Sequence, residues 1–147
     1  MGDKSRILLV DDDPVFGKEA VGRLRAAGLD VSFHRGPLGT LRAVRASGCE
    51  LVVIDVNMPK IDAGLLVRMI RDAFGFGHNR VILYSDLAPD MLTTLAKALQ
   101  VTTIPKSAGL AVLTTTIRAA LESPAATAAP QRSKKTTTRS RRVAASR

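Results

Sequence analysis

Apolar residues recur along this chain in two rhythms. The first is a set of short unbroken runs: Ile7-Leu8-Leu9-Val10, Leu51-Val52-Val53-Ile54 and Val81-Ile82-Leu83-Tyr84. Runs of this length and composition predict strands covered on both faces. Residues 31–33 predict a shorter strand, and residues 101–104 a fifth, interrupted by two threonines. The second rhythm is helical. Val15, Phe16, Ala20, Val21, Leu24 and Ala27 recur at helical spacing up to Gly28. Asp13 before Pro14 is a natural start for that helix, with Asp as N-cap and Pro at the first helical position. Pro37, Leu38, Leu41, Ala43 and Val44 predict a second helix ending near Gly48. A third runs over residues 63–74 on Leu65, Leu66, Met69, Ile70 and Phe74, and Gly75-Phe76-Gly77 breaks it. A fourth covers residues 89–99, and Leu110, Val112, Leu113, Ile117, Ala120 and Leu121 predict a fifth. Five strands alternating with five helices give an α/β fold: a doubly wound parallel sheet with helices on both faces.

Composition changes this picture at the C-terminus. Of 147 residues, 46% are hydrophobic but only 3% aromatic, so the core must be aliphatic. Residues 1–122 hold 15 Lys and Arg against 13 Asp and Glu, a net +2, whereas residues 123–147 hold seven basic residues and no acid. The tail is built of Ala, Pro, Ser, Thr, Lys and Arg, with Val143 its only large apolar residue. Such a segment cannot bury enough surface to offset its ordering entropy, and disorder is expected. The chain therefore divides into a folded domain over residues 5–122 and a basic tail over residues 123–147. The single cysteine, Cys49, excludes an intrachain disulfide, fits a reducing compartment and reads as packing. No apolar run approaches the ~18 residues of a membrane span, and the first run is too short for a signal-peptide core. A cytoplasmic location is expected.

The candidate chemistry lies where strands end. In a parallel sheet the C-terminal strand ends share one edge, which is where ligands collect. Strand one ends in Asp11-Asp12, strand three in Asp55, strand four in Ser85 and strand five near Lys106. Each alone has a structural explanation. Asp13 reads as an N-cap, Asp11 and Asp12 as loop acids, Ser85 or Asp86 as a helix cap, and Lys106 as a surface lysine. Together they gather acids, a hydroxyl and an ammonium from four strands. Clustered carboxylates repel unless a cation joins them, and an oxygen-only site suits Mg²⁺. Asp55 could then act as a carboxylate nucleophile toward a phosphoryl group. Ser85 and Lys106 could pair with phosphoryl oxygens.

Over about residues 5–122 the sequence resembles the receiver domain of two-component response regulators. The resemblance rests on Ile7-Leu8-Leu9-Val10-Asp11-Asp12-Asp13-Pro14, Val53-Ile54-Asp55-Val56-Asn57-Met58-Pro59 with Asp62-Ala63-Gly64, Leu83-Tyr84-Ser85 and Ile104-Pro105-Lys106-Ser107. Asp12 to Asp55 spans 43 residues, Asp55 to Ser85 spans 30, and Ser85 to Lys106 spans 21. The resemblance implies a flavodoxin-like sheet of strand order 2-1-3-4-5. It implies that Asp55 accepts phosphate from a phosphohistidine on a sensor histidine kinase. Asp11 or Asp12, Asp55 and the Asn57 backbone carbonyl would hold Mg²⁺. The protein would be a phosphoacceptor rather than an enzyme.

Three positions depart from the family pattern. Asp86 follows the switch hydroxyl, where a small residue is usual. Thr103 stands where the switch aromatic is usual. Ser107 follows Lys106 in place of proline, so no cis bond is expected there. The alternative these departures raise is a phosphorylation-impaired pseudo-receiver acting as a binding module. Only 25 residues follow Glu122, so two outputs are expected: a downstream protein bound on the face of helix four, strand five and helix five, or passage of the phosphoryl group on to a histidine phosphotransfer protein. The tail adds a second expectation. Arg132, Lys134, Lys135, Arg139, Arg141, Arg142 and Arg147 would meet nucleic-acid phosphates or another polyanion non-specifically. A purely solubilising role is the plain alternative.

Overall fold

The computed structural model describes residues 5–58, 61–77 and 80–123. Five parallel strands form one sheet: β1 (Arg6–Asp11), β2 (Asp30–Arg35), β3 (Leu51–Ile54), β4 (Val81–Ser85) and β5 (Thr102–Pro105). Their order is β2-β1-β3-β4-β5, as expected. Five helices connect them: α1 (Pro14–Ala26), α2 (Thr40–Ser47), α3 (Ala63–Phe74), α4 (Pro89–Leu99) and α5 (Leu110–Glu122). Because side chains alternate across a strand, the sheet carries two cores. Leu8, Val10, Val52, Ile54, Val81 and Leu83 face one, with Leu66, Val67 and Ile70 of α3 and Leu92 and Leu99 of α4. Ile7, Leu9, Leu51, Val53, Ile82, Tyr84 and Ile104 face the other, with Ala20, Val21 and Leu24 of α1 and Leu113 and Ile117 of α5. Both faces of β1, β3 and β4 are covered, which is why their sequences read as continuous apolar runs.

The boundaries follow local chemistry. The Asp13 carboxylate accepts from Val15 N at 3.0 Å and Phe16 N at 3.3 Å, with Pro14 opening α1 as predicted. The second helix starts later than predicted, at Thr40 rather than Pro37. Gly39 lies in the left-handed region at φ 76°, a conformation that cannot belong to a helix, so Pro37 and Leu38 form the connection instead. Strand β2 is longer than its apolar residues suggest, because all six residues pair with β1 from Arg6↔Asp30 to Asp11↔Arg35. Strand β5 starts one residue late. Val101 N donates to the Ala96 carbonyl and so closes α4, with Gln100 left-handed at φ 55°.

Arginines satisfy several helix ends that lack an acceptor-filling cap. Arg71 of α3 donates to the Leu99 and Gln100 carbonyls at the end of α4, and Arg118 of α5 to the Ala27 carbonyl at the end of α1. Arg80, buried at the start of β4, donates to the Ser123 carbonyl at 2.9 Å and so ties the end of α5 to that edge of the sheet. The tail expected over residues 123–147 lies outside the described residues beyond Ser123, as does His78.

Candidate functional site

The site is assembled by strand ends. Asp11 is the last residue of β1, and its backbone carbonyl accepts from Gly36 N at 3.0 Å. Asp55 follows β3, and its backbone N–H donates to the Val10 carbonyl at 3.0 Å. Lys106 follows β5 and opens a single 3₁₀ turn, Lys106–Ala108. These three hydrogen-bonded ends converge at one edge, and both acids are buried.

At the centre is the Lys106 ammonium. Nζ donates to Asp11 Oδ2 at 2.9 Å and to Asp55 Oδ2 at 3.2 Å. The other oxygen of each acid is also engaged. Asp11 Oδ1 accepts from Asp13 N at 2.9 Å, and Asp55 Oδ1 from Asn57 N at 2.9 Å. Half-buried Asp12 completes a trio in which one oxygen from each of Asp11, Asp12 and Asp55 lies within 4.8 Å of the others. Burial pushes the Asp55 carboxyl above the ordinary carboxylate range, more than the Asn57 hydrogen bond and the Lys106 charge draw it down. Burial works to lower Lys106, but the hydrogen bonds and charges of Asp11 and Asp55 outweigh it, so its pKa is raised. A cationic lysine therefore holds together a carboxylate pair that low dielectric and mutual repulsion would otherwise disfavour.

Ser85 takes a different place. It ends β4, buried, opposite Pro105 of β5, and its hydroxyl accepts from Leu87 N at 3.3 Å. It does not cap α4, whose N-cap is Ala88 without a side-chain bond. Asp86 is exposed and stands outside the carboxylate trio. Thr103 sits half-buried in β5 opposite Leu83, so no ring occupies that position. The described residues contain one cis peptide bond, Gly36–Pro37, and none at Lys106–Ser107, as expected.

Sequence reasoning missed two aromatic residues. The Lys106 ammonium lies over the Phe16 ring, 4.1 Å from its centroid. Phe16 packs on Tyr84 with centroids 5.9 Å apart. Both satisfied an apolar periodicity and so read as core. The available signal was parity. Tyr84 shares its sheet face with Ile7, Leu9, Leu51 and Val53, and continuing that alternation brings Asp11 and Asp55 to the same side.

Comparison with known proteins agrees with this arrangement. Residues 7–118 match the family profile of the response regulator receiver domain. Among solved structures, the chain resembles the BeF3-activated N-terminal receiver domain of RstA from Klebsiella pneumoniae, with 24% identity and a TM-score of 0.72 over 81% of this chain and 100% of that one. It also resembles a response regulator receiver domain protein from Clostridium thermocellum, with 20% identity and a TM-score of 0.69 over 80% of this chain and 94% of that one. A CheY-like receiver domain protein from Methanospirillum hungatei gives 19% identity and a TM-score of 0.70 over 81% and 94%. At these identities the likeness is one of fold. No curated protein sequence matches the chain significantly. With the family profile covering residues 7–118, and so every residue of the acid–lysine site, the chain belongs to the response regulator receiver domain family of two-component signalling.

Proposed function

We propose that Asp55 is a phosphoacceptor that takes a phosphoryl group from a phosphohistidine of a sensor kinase or a histidine phosphotransfer protein. The observation that carries this reading is the Lys106 ammonium held between Asp11 and Asp55 where β1, β3 and β5 end. In the step, an Asp55 carboxylate oxygen forms a bond to phosphorus and the bond from phosphorus to the imidazole nitrogen breaks, returning the electron pair to the histidine. Asp55 Oδ1 is aligned by Asn57 N, and Lys106 is in place to pair with a phosphoryl oxygen as Oδ2 is consumed or displaced. Exposed Asp86, outside the trio, supports a competent site over a pseudo-receiver.

The donor set fits Mg²⁺, because three hard carboxylate oxygens lie within 4.8 Å of one another. Asp11, Asp12 and Asp55, with the Asn57 carbonyl, are the residues that would hold the ion. When bound, the ion neutralises charge that builds on the transferred group.

The protein then acts by binding rather than by turning over a substrate. Its readout is a population shift at the α4–β5–α5 face, recognised by a downstream protein. Exposed Met91 on α4 and Val112 on α5 supply apolar surface on two of those elements.

The test is incubation with acetyl phosphate and Mg²⁺, read by intact mass. Wild type is expected to gain one phosphoryl group, and Asp55→Asn and a chelator-treated sample none. A wild type that stays unmodified under donor excess and shows no response to beryllofluoride rejects the reading.

A further inference from the structure

Lysine is a poor positioner of its own charge. Its ammonium is compact, sits on a flexible four-carbon stem and donates in three directions. At this site two directions are taken by Asp11 and Asp55. When the Asp55 oxygen is modified, one of those anchors changes, so two carboxylates alone do not fix the ammonium through the reaction.

The third contact is the Phe16 ring. Its centroid is 4.1 Å from Nζ, well inside the ~6 Å within which a ring face attracts a cation. The Lys106 side chain is 14% exposed, so water weakens this attraction little. The Phe16 backbone N–H donates to the Asp13 carboxylate in the first turn of α1, and the ring packs on buried Tyr84 at 5.9 Å with planes 39° apart. Tyr84 belongs to the core of the α1 and α5 side of the sheet, which gives the ring a rigid backing.

We propose that Phe16 is a positioning residue whose ring face holds the Lys106 ammonium against Asp11 and Asp55. It touches no reacting atom. Its effect passes through the lysine, and it persists while the Asp55 contact is exchanged for one to a phosphoryl oxygen. The inference rests on the phosphoacceptor reading for its kinetic consequence and on the lysine contact alone for its spectroscopic one.

The test compares three full-length proteins: wild type, Phe16→Leu and Phe16→Tyr. Leucine fills a similar volume without a ring, and tyrosine restores the ring. Phosphorylation by acetyl phosphate is expected to slow about three- to tenfold in Phe16→Leu and to stay within about twofold of wild type in Phe16→Tyr. Thermal unfolding identifies any difference due to folding. In parallel, lysine-labelled NMR reads the ε-methylene protons of Lys106. Ring current should shift them upfield in wild type and Phe16→Tyr and leave them at ordinary positions in Phe16→Leu. Equal rates in wild type and a folded Phe16→Leu, or a Phe16→Tyr as slow as Phe16→Leu, overturn the proposal. So do identical Lys106 shifts in wild type and Phe16→Leu, a reading that stands even if no protein takes phosphate. In that last case the phosphoacceptor reading fails separately.

Discussion

Lys106 decides the balance of the site, because two buried carboxylates share its charge. Replacing it with methionine keeps the stem and removes the cation, leaving Asp11 and Asp55 buried without it. Stranding buried acceptors in this way costs about 1–3 kcal/mol, and urea unfolding of Lys106→Met near neutral pH should show a loss of that size. Tyr84 provides a pH-dependent counterpart. Burial pushes its phenol above the ordinary value, more than Lys106 pulls it down, with Asp86 adding to the rise. The unfolded chain then releases this proton at about pH 10 and the folded chain only at higher pH. Stability from this group is complete below pH ~10 and is lost as pH rises through the folded value. Tyr84 is the only tyrosine and the chain has no tryptophan. An ultraviolet titration therefore reads it directly, and Tyr84→Phe should flatten the alkaline fall in stability. The acids and the lysine were legible because each interrupts or ends an apolar run. Phe16 and Tyr84 were not, because an apolar period does not distinguish an aromatic that packs from one that also faces a cation.

Between elements, close approach is set by what is missing as much as by what is present. A Cβ built on Gly17 of α1 would lie 2.2 Å from the Phe33 ring of β2. Gly17→Ala should therefore push α1 from the sheet or force the ring aside, at a cost of about 1–3 kcal/mol. Phe33→Ala combined with it should recover part of that loss, and a double-mutant cycle in urea measures the coupling. No coupling would mean that helix and strand do not meet there. Arg71 joins α3 to α4 through the Leu99 and Gln100 carbonyls, so Arg71→Met should cost about 1–2 kcal/mol by freeing acceptors at a helix end. Neither contact is visible in sequence, because a glycine within a helix and an arginine on its surface have many uses. The same reason hid the start of α2. Its apolar spacing runs on through Leu38, but the left-handed backbone at Gly39 is a property of the connection and not of the pattern.

At the scale of the whole molecule, strand order and the two-sided core were legible, since alternating buried runs and amphipathic helices admit few arrangements of a parallel sheet. Charge divides differently from structure. Seven basic residues lie beyond Glu122 without an acid among them. If they meet phosphates non-specifically, the full chain should bind duplex DNA with a log–log salt slope no steeper than about −6, and a 1–122 protein should lose that binding. Equal binding by both would remove the tail from the interaction. The tie between Arg80 and the Ser123 carbonyl sets where that segment departs: beside the first residues of β4, at the sheet edge opposite Asp55. A five-residue strand spans about 16 Å. Asp55 and Ser123 therefore lie at opposite ends of the sheet, and a partner that contacts both must reach across the length of a strand.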